Sequence, residues 1–309
     1  MKFVTYKYNG AECVGVLIED ETANVKCCKS VYHLLPVLQD ETAVIPASEL
    51  GLKAGSMLEL IEELDGSYPA TPTQAKSIAL SDVKLEAPIP EPRQDVICLG
   101  LNYRDHVEEA TRADAVFDVQ RGDAVYFSKR LQRAVAPGDK IDGHFDICDS
   151  LDYEVELGVV IGRDAKNGKA ADAGKYIFGY TIINDVSARN LQTRHKQWYF
   201  GKSLDDFTPM GPCILSADEV GAMPELDIRC YVNGEKRQDS NTRMMIFDIP
   251  YIIEELSTGM TLKAGTVIAT GTPSGVALGM APEVQKYLKS GDVVRCEIDR
   301  IGVLENTIA

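Results

Sequence analysis

Short apolar runs separated by turn residues dominate the chain from Val96 onward. They are rich in β-branched and aromatic residues, as strands are, and read VICLGLNY, AVYFSK, YEVELGVVIG, FGYTIIND, DIRCYVNG, TVIATG and VVRCEID. We expect only two helices here, one following Asp185 and one beginning near Pro250, with Asp248 as its cap and Gly259 as its stop. Many strands with few helices predict a mixed, β-rich α+β fold.

Residues 1–90 have a separate pattern that predicts a small N-terminal α+β domain. Alternation over residues 2–7 and a second run over 13–18 predict a hairpin. An apolar stripe predicts a helix that ends near Gly66, formed by Met57, Leu58, Ile61 and Leu64. A proline-rich stretch then predicts a linker before a larger domain over 94–309; its prolines are Pro88, Pro90 and Pro92.

Composition and charge narrow the function. The 309 residues are 45% hydrophobic and 26% charged, which is typical of a globular chain with a sizeable core. The net charge of −15, without a cluster of Lys and Arg, argues against binding to nucleic acid or to an anionic membrane surface. An anionic substrate would therefore need a local positive centre, such as a divalent cation.

Cysteine usage and hydropathy indicate the compartment. The eight cysteines form no C-x-x-C pair, which disfavours a zinc knuckle or a thioredoxin-type motif. No apolar run approaches the ~18 residues of a membrane span, and the N-terminus lacks the pattern of a signal segment. We expect a soluble, cytoplasmic protein with free thiols.

Acidic residues alternate along one predicted strand. Asp152, Glu154 and Glu156 share one face of it, because successive side chains of a strand point to opposite faces. The apolar run that follows, 158–161, leads the strand into a core, where adjacent carboxylates repel each other and lose solvation. A divalent cation with oxygen ligands would resolve both problems. The alternative is a half-exposed strand whose acids face water.

Asp185 could supply a third ligand, since it ends the predicted strand over 180–184. Three carboxylates would leave about three positions of an octahedral site for water or substrate. The alternative is that Asp185 caps the following helix.

A histidine lies in a polar, helical pattern after the strand VICLG. His106 and Glu109 are three residues apart and therefore neighbours on a helix face. A carboxylate beside an imidazole is typical of a general-base pair, although a chance pair on a surface helix gives the same spacing. The run 271–275, GTPSG, is either a plain turn or a turn whose hydroxyls and N–H groups bind an oxyanion.

Together these segments resemble the fumarylacetoacetate hydrolase family. The match runs from about Val96 to Ile308 and follows the family's order of motifs: GLNYRDHVEE, AVYFSK, DYEVELGVVIGR, INDVSARN, GKSLDDFTPMGP, VNGEKRQDSNT and VIATGTPSGV. The resemblance implies a β-roll of mixed sheets, a bound Mg²⁺ (or Mn²⁺ or Ca²⁺), and a homodimer. Leu99 stands where some members have a further metal-binding Asp, so the chain resembles the three-carboxylate branch.

The resemblance also assigns the site. The metal ligands would be Glu154, Glu156 and Asp185. The catalytic groups would be His106, Glu109 and Lys202, with the lysine helping to hold the reacting oxygen. The substrate-binding residues would be Gln192, Thr272, Lys129, Arg104 and Tyr103.

These assignments predict a metal-dependent hydrolase that cleaves a C–C bond in an acylpyruvate or a related 1,3-dicarbonyl acid. Since a site that stabilises an enolate serves several reactions, a decarboxylase or a keto–enol isomerase is an alternative. A ureido-acid lyase and a non-enzymatic metal-binding dimer also stay open. The substrate is expected to be a small anionic keto acid. Residues 108–120 are expected to be mobile without ligand and to close as a lid.

Overall fold

The computed structural model describes residues 1–18, 43–70, 75–112 and 122–309. Its strands are β1 Lys2–Tyr8, β2 Ala11–Ile18, β3 Ala43–Pro46, β4 Ile78–Ala79, β5 Lys84–Leu85, β6 Val96–Gly100, β7 Val125–Lys129, β8 Lys140–Ile141, β9 Leu151–Asp152, β10 Val155–Ile161, β11 Ile177–Asn184, β12 Ser187–Ala188, β13 Met210–Ser216, β14 Asp227–Val232, β15 Glu235–Asn241, β16 Val267–Ala269, β17 Val293–Ile298 and β18 Gly302–Ile308. Its α-helices are α1 Met57–Leu64, α2 Arg104–Arg112, α3 Arg189–Arg194, α4 Tyr199–Lys202 and α5 Ile249–Gly259.

The strands form three sheets. The largest runs β4-β3-β2-β1-β13-β11-β10-β16-β6-β7, with β5 also paired to β1; the second runs β15-β14-β17-β18-β8; the third is β12-β9. Most neighbours are antiparallel, but β16 pairs with β6, and β18 with β8, in parallel. The predicted mixed, β-rich fold is confirmed.

The two faces of β10 contact different layers. Leu157 and Val159 share a core with the five-stranded sheet, whose contributions include Cys230 and Cys296. Val160 points the other way, into a core that α1 covers. Every residue of β10 and β11 is buried, which explains why the sequences of both strands are nearly continuous runs of apolar residues.

The N-terminal region joins the same large sheet as the rest. The predicted hairpin and helix are both confirmed, with the hairpin turning at residues 9–10 and the Ser56 hydroxyl capping α1. However, the buried stripe of α1 contains Leu60 where Leu58 was expected. Phe3 of β1 pairs with Ile214 of β13, so the sheet crosses the predicted boundary near residue 90.

The proline-rich stretch is a buried connection. Residues 86–90 are all buried. Thr5 Oγ1 donates to the carbonyl of Pro88 (2.6 Å) and Ala134 N to that of Pro90 (2.7 Å). Sequence reading identified the missing N–H donors of proline but not the side chains and strands that pack over them.

The second predicted helix of the larger region is also confirmed. Asp248 accepts from Tyr251 N at the start of α5, Pro250 lies in its first turn, and Gly259 is its last residue. None of the helices in the described ranges combines the length and the apolar composition that a membrane span needs. The cysteines in those ranges are free thiols, and all except Cys13 are buried.

Replacing Phe3 tests whether the N-terminal strand is integral to the sheet. Phe3 is fully buried, so Phe3→Ala should lower the free energy of unfolding by about 3–5 kcal/mol. We expect one cooperative urea transition at a lower midpoint. Met223→Ala, at a side chain 62% exposed, should change little. Two transitions, of which only the weaker one moves, would show an independent N-terminal domain.

Candidate metal centre and active site

The pairing of β10 with β11 brings three acids together. Glu154, Glu156 and Asp185 each offer an oxygen within 4.8 Å of the others. Glu154 N donates to Asn184 Oδ1 (3.0 Å), and Asp185 N donates to the Glu154 carbonyl (2.8 Å). All three side chains are buried, so the alternative of acids that face water is wrong.

Two local expectations for these acids were wrong. Helix α3 begins at Arg189 with Ala188 as its N-cap, so Asp185 does not cap it. The predicted continuous strand is interrupted at residues 153–154, and Asp152 therefore lies apart from the other acids. Its carboxylate instead accepts from the N–H groups of Ala277 (2.8 Å) and Leu278 (3.0 Å) and from Arg189 Nε (2.9 Å).

Buried cations neutralise two acids of the cluster. Lys202 Nζ donates to Glu154 Oε2 (2.5 Å) and Asp185 Oδ2 (2.7 Å). Arg189 Nη2 donates to Glu154 Oε1 (2.6 Å), and Lys129 Nζ lies 2.7 Å from Asp185 Oδ1. Burial alone would raise the pKa of Glu154, but the charges of Arg189 and Lys202 lower it to about 2.

Glu156 has no basic partner within ion-pair distance among the described residues. Its Oε2 accepts from Gly271 N (2.8 Å), and the side chain is 1% exposed. Burial, and then the charges of Asp185 and Glu154, raise its pKa well above its usual value. A divalent cation would supply the missing positive charge, and the all-oxygen ligand set suits a hard ion. The three carboxylates therefore fit a divalent metal such as Mg²⁺.

A hydrogen-bonded pair stands on helix α2. His106 Nδ1 lies 3.1 Å from Glu109 Oε2, and Glu109 Oε1 also accepts from Gly275 N (3.0 Å). A side chain at position 279 could not fit, because its Cβ would lie 2.1 Å from Glu109 Cδ, which explains Gly279. With Nδ1 held by a carboxylate, Nε2 of a neutral imidazole is the nitrogen that accepts protons.

Asp105 ties the start of the same helix to the GTPSG turn. Its Oδ1 accepts from His106 N (2.9 Å) and its Oδ2 accepts from Ser274 Oγ (3.0 Å). Residues 104–109 are therefore anchored in this structure. Most of the segment predicted to be mobile, 113–120, lies outside the described residues.

A small cavity lies between the two groups. Six of the predicted site residues line it: His106, Glu154, Glu156, Gln192, Lys202 and Thr272. Thr272 Oγ1 donates to the Val155 carbonyl (2.8 Å), so its proton is turned away from a ligand. Gln192 Oε1 accepts from Arg189 Nη1 (2.9 Å).

Three of the predicted substrate-binding residues do not line the cavity. Lys129 is fully buried and donates to the carbonyl of Val186 as well as contacting Asp185, so it supports a metal ligand. Arg104 is exposed at the start of α2. Tyr103 is fully buried, and its hydroxyl has no hydrogen-bond partner among the described residues. Burial, followed by the charge of Glu156, raises the pKa of Tyr103.

Among the lining residues that sequence reasoning missed, Arg189 and Trp198 have the largest polar and aromatic side chains. The signal for Arg189 was its position three residues before Gln192, one helical turn away on the same face. Trp198 carried no comparable signal, because its place on the cavity depends on close packing against residue 100.

Comparison with known proteins gives concordant results. The family described as fumarylacetoacetate (FAA) hydrolase, C-terminal, matches residues 95–309. The chain is 39% identical over 321 residues to oxaloacetate tautomerase YisK of Bacillus subtilis (strain 168), with 100% of both chains covered. A fumarylacetoacetate hydrolase from Exiguobacterium antarcticum superposes with a TM-score of 0.80 at 36% identity, covering 100% of this chain and 99% of that one. A 2-hydroxyhepta-2,4-diene-1,7-dioate isomerase from Mycobacterium marinum gives 0.71 at 28% identity, with 100% and 98% covered.

Neutralising individual acids should separate their roles. In a chelator, Glu156→Gln should raise the free energy of unfolding by about 1–3 kcal/mol, because it removes a buried charge without a cation. Glu154→Gln should lower it by about 3–5 kcal/mol, because Arg189 and Lys202 each lose one of their two buried carboxylate partners. Urea unfolding with and without Mg²⁺ measures both changes, and the metal should stabilise neither variant as it does the parent protein.

The pH dependence provides the control. Below about 4.5, its ordinary value, Glu156 is protonated in both the folded and the unfolded chain, so parent and Glu156→Gln should be equally stable. A group whose pKa is raised by folding loses stability as pH rises, so the advantage of the variant should grow above that value. A Glu156→Gln protein that is less stable than the parent in chelator at neutral pH would contradict the uncompensated charge.

Proposed function

The chain belongs to the fumarylacetoacetate hydrolase family, and from this premise we propose that it is a Mg²⁺-dependent tautomerase of a small 2-oxo diacid such as oxaloacetate. The observation that supports this most is one cavity lined both by Glu154 and Glu156 of the carboxylate cluster and by His106 of the His106–Glu109 pair. Tautomerisation needs a group that moves a proton at the carbon next to the carbonyl, and positive charge near the carbonyl oxygen. We also propose, from the family resemblance, a cytoplasmic homodimer.

The ligands of the metal would be Glu154, Glu156 and Asp185. When bound, a divalent cation supplies Lewis-acid stabilisation of negative charge on the 2-oxo oxygen. The chain itself adds Lys202, whose ammonium lies between two of the acids, and Arg189, held from behind by Asp152. These cations face the cavity where enolate charge would develop, and they need no reorganisation as it forms.

His106 would move the proton. Its Nδ1 is engaged by Glu109, which leaves Nε2 to accept the proton from C3 of the keto form. Transfer of that proton to the 2-oxo oxygen would give the enol, and the reverse transfers would regenerate the keto form. The imidazole is near enough to the cluster for its charge to affect the pKa of Glu154. Two of the metal ligands and the base therefore line the same small cavity.

C–C bond hydrolysis, the prediction from sequence, is the second candidate. The same pair could activate a water molecule, and the E. antarcticum relative carries the name of a hydrolase. We place tautomerisation first because the relative with that name matches the full length of both chains at 39% identity.

One assay set separates the candidates. Decay of the enol form of oxaloacetate should accelerate in the presence of the protein and Mg²⁺, return to the uncatalysed rate with chelator, and release no pyruvate. Release of pyruvate from an acylpyruvate without accelerated enol decay would instead establish the hydrolase. Pyruvate and CO₂ from oxaloacetate would establish the decarboxylase, and no reaction with either substrate would overturn the proposal.

Removing the proposed base should lower turnover and leave the metal site intact. We expect His106→Ala to reduce kcat by about 10²–10⁴-fold, the usual contribution of general-base catalysis. Glu109→Gln keeps an acceptor for Gly275 N but loses the charge that orients the imidazole. Because the two residues share one task, the double variant should be little slower than His106→Ala alone.

Calorimetric titration with Mg²⁺ should give wild-type affinity for these variants, and His195→Ala, an exposed histidine outside the cavity lining, is the matched control. Losses of kcat that multiply in the double variant would show that the two residues act independently.

A further inference from the structure

Trp198 is the single tryptophan of the chain and lines the cavity. It immediately precedes α4, and its carbonyl accepts from Lys202 N (3.1 Å). Residues four apart on a helix lie on one face, about 6 Å apart along the axis. The indole and the ammonium group that contacts the metal ligands are thus separated by one helical turn.

The indole is seated against two neighbouring strands. A Cβ atom at Gly100 would lie 2.3 Å from Cζ3 of Trp198 and 2.6 Å from Cη2, so only glycine at the end of β6 allows this approach. On β7, Phe127 meets the indole edge-on, with ring centroids 5.2 Å apart at 70°. Lys202 Nζ lies 5.3 Å from the centre of the same phenyl ring. The indole of Trp198 is thus held by defined packing contacts and cannot move away from the cavity without losing them.

The cavity lining is polar in part and apolar in part. Beside the metal ligands and the other charged or hydrogen-bonding residues, it consists mainly of apolar side chains: Leu99, Leu101, Phe127, Trp198, Val276 and Leu278. A carboxylate pushed against an apolar wall loses hydration without gaining a partner. A diacid can keep both carboxylates at the polar end only if the chain between them is short.

We propose that Trp198, seated on Gly100 and Phe127, determines substrate length and restricts the site to four-carbon 2-oxo diacids. This inference rests on the proposed function and deepens it. Each added methylene moves the second carboxylate toward the indole, and a pocket of fixed size discriminates about 10-fold or more per methylene.

Binding of unreactive 2-hydroxy diacids tests the inference without turnover. Malate, 2-hydroxyglutarate and 2-hydroxyadipate carry the same oxygen ligands on four, five and six carbons and cannot enolise. With Mg²⁺ present, titration calorimetry should show at least ~10-fold tighter binding of malate than of 2-hydroxyadipate. Fluorescence of the wild-type protein should report the same order directly, because Trp198 is its only indole.

Trp198→Ala should bring the affinities for the four- and six-carbon acids to within about threefold, by opening the apolar end. Trp198→Phe, which retains an aromatic ring against Phe127, should be intermediate and guards against misfolding of α4. Tyr199→Ala removes the adjacent exposed ring and should keep the wild-type order. Circular dichroism confirms that each variant is folded.

Equal binding of the three acids by the wild-type protein, or unchanged selectivity in a folded Trp198→Ala, would overturn the role of Trp198. Selective binding of malate without tautomerisation of oxaloacetate would leave the length rule standing and overturn the proposed function. Tautomerisation of four- and six-carbon 2-oxo diacids at equal efficiency would do the reverse.

Discussion

Four buried carboxylates are the constraint on which the site depends: three lie where β10 meets β11, and the fourth, Asp152, ends β9. Their charge cannot be left unpaired in a sheet interior, and three cations from other elements answer it: Lys129 from β7, Arg189 from α3 and Lys202 from α4. The balance is one positive charge short, and the acid without a partner is Glu156. The three basic side chains thus compensate most of the buried negative charge, and the unpaired carboxylate of Glu156 favours binding of a cation.

The same arrangement links the two ends of the cavity. Asp152 holds Arg189 on one side and the N–H groups of Ala277 and Leu278 on the other. Arg189 orients Glu154, while the turn after residue 277 places Gly279 against Glu109 and so fixes His106. One buried carboxylate that is not in the metal cluster therefore sets the relative position of the metal ligands and the base, as outer-sphere partners do in other metal sites.

What could be predicted from the sequence was local or periodic. The Asp248 cap of α5 and the N-terminal hairpin depend on nearby residues, and they were confirmed. Long-range pairing was not readable: β1 joins β13 across more than two hundred residues. The role of Lys129 was also unreadable, because an F-x-K segment gives no sign that the ammonium group will be enclosed behind Asp185. At the site, the spacing of the acids in the sequence was enough to predict the metal ligands. The basic residues that neutralise them could be identified only from the folded structure.

The difference between what the sequence predicts and what only the fold shows has a physical cause. Alternation and capping are interactions over two to four residues, so sequence order contains them. Charge compensation is set by distance in space, and the paired acids and cations of this cluster lie up to 56 residues apart along the chain. An anionic substrate meets a cluster already neutralised to within about one charge. The substrate therefore depends on a bound divalent cation for electrostatic attraction to the site. The protein has a net charge of −15, so it can bind a dianion only where local positive charge outweighs the repulsion from the rest of the molecule.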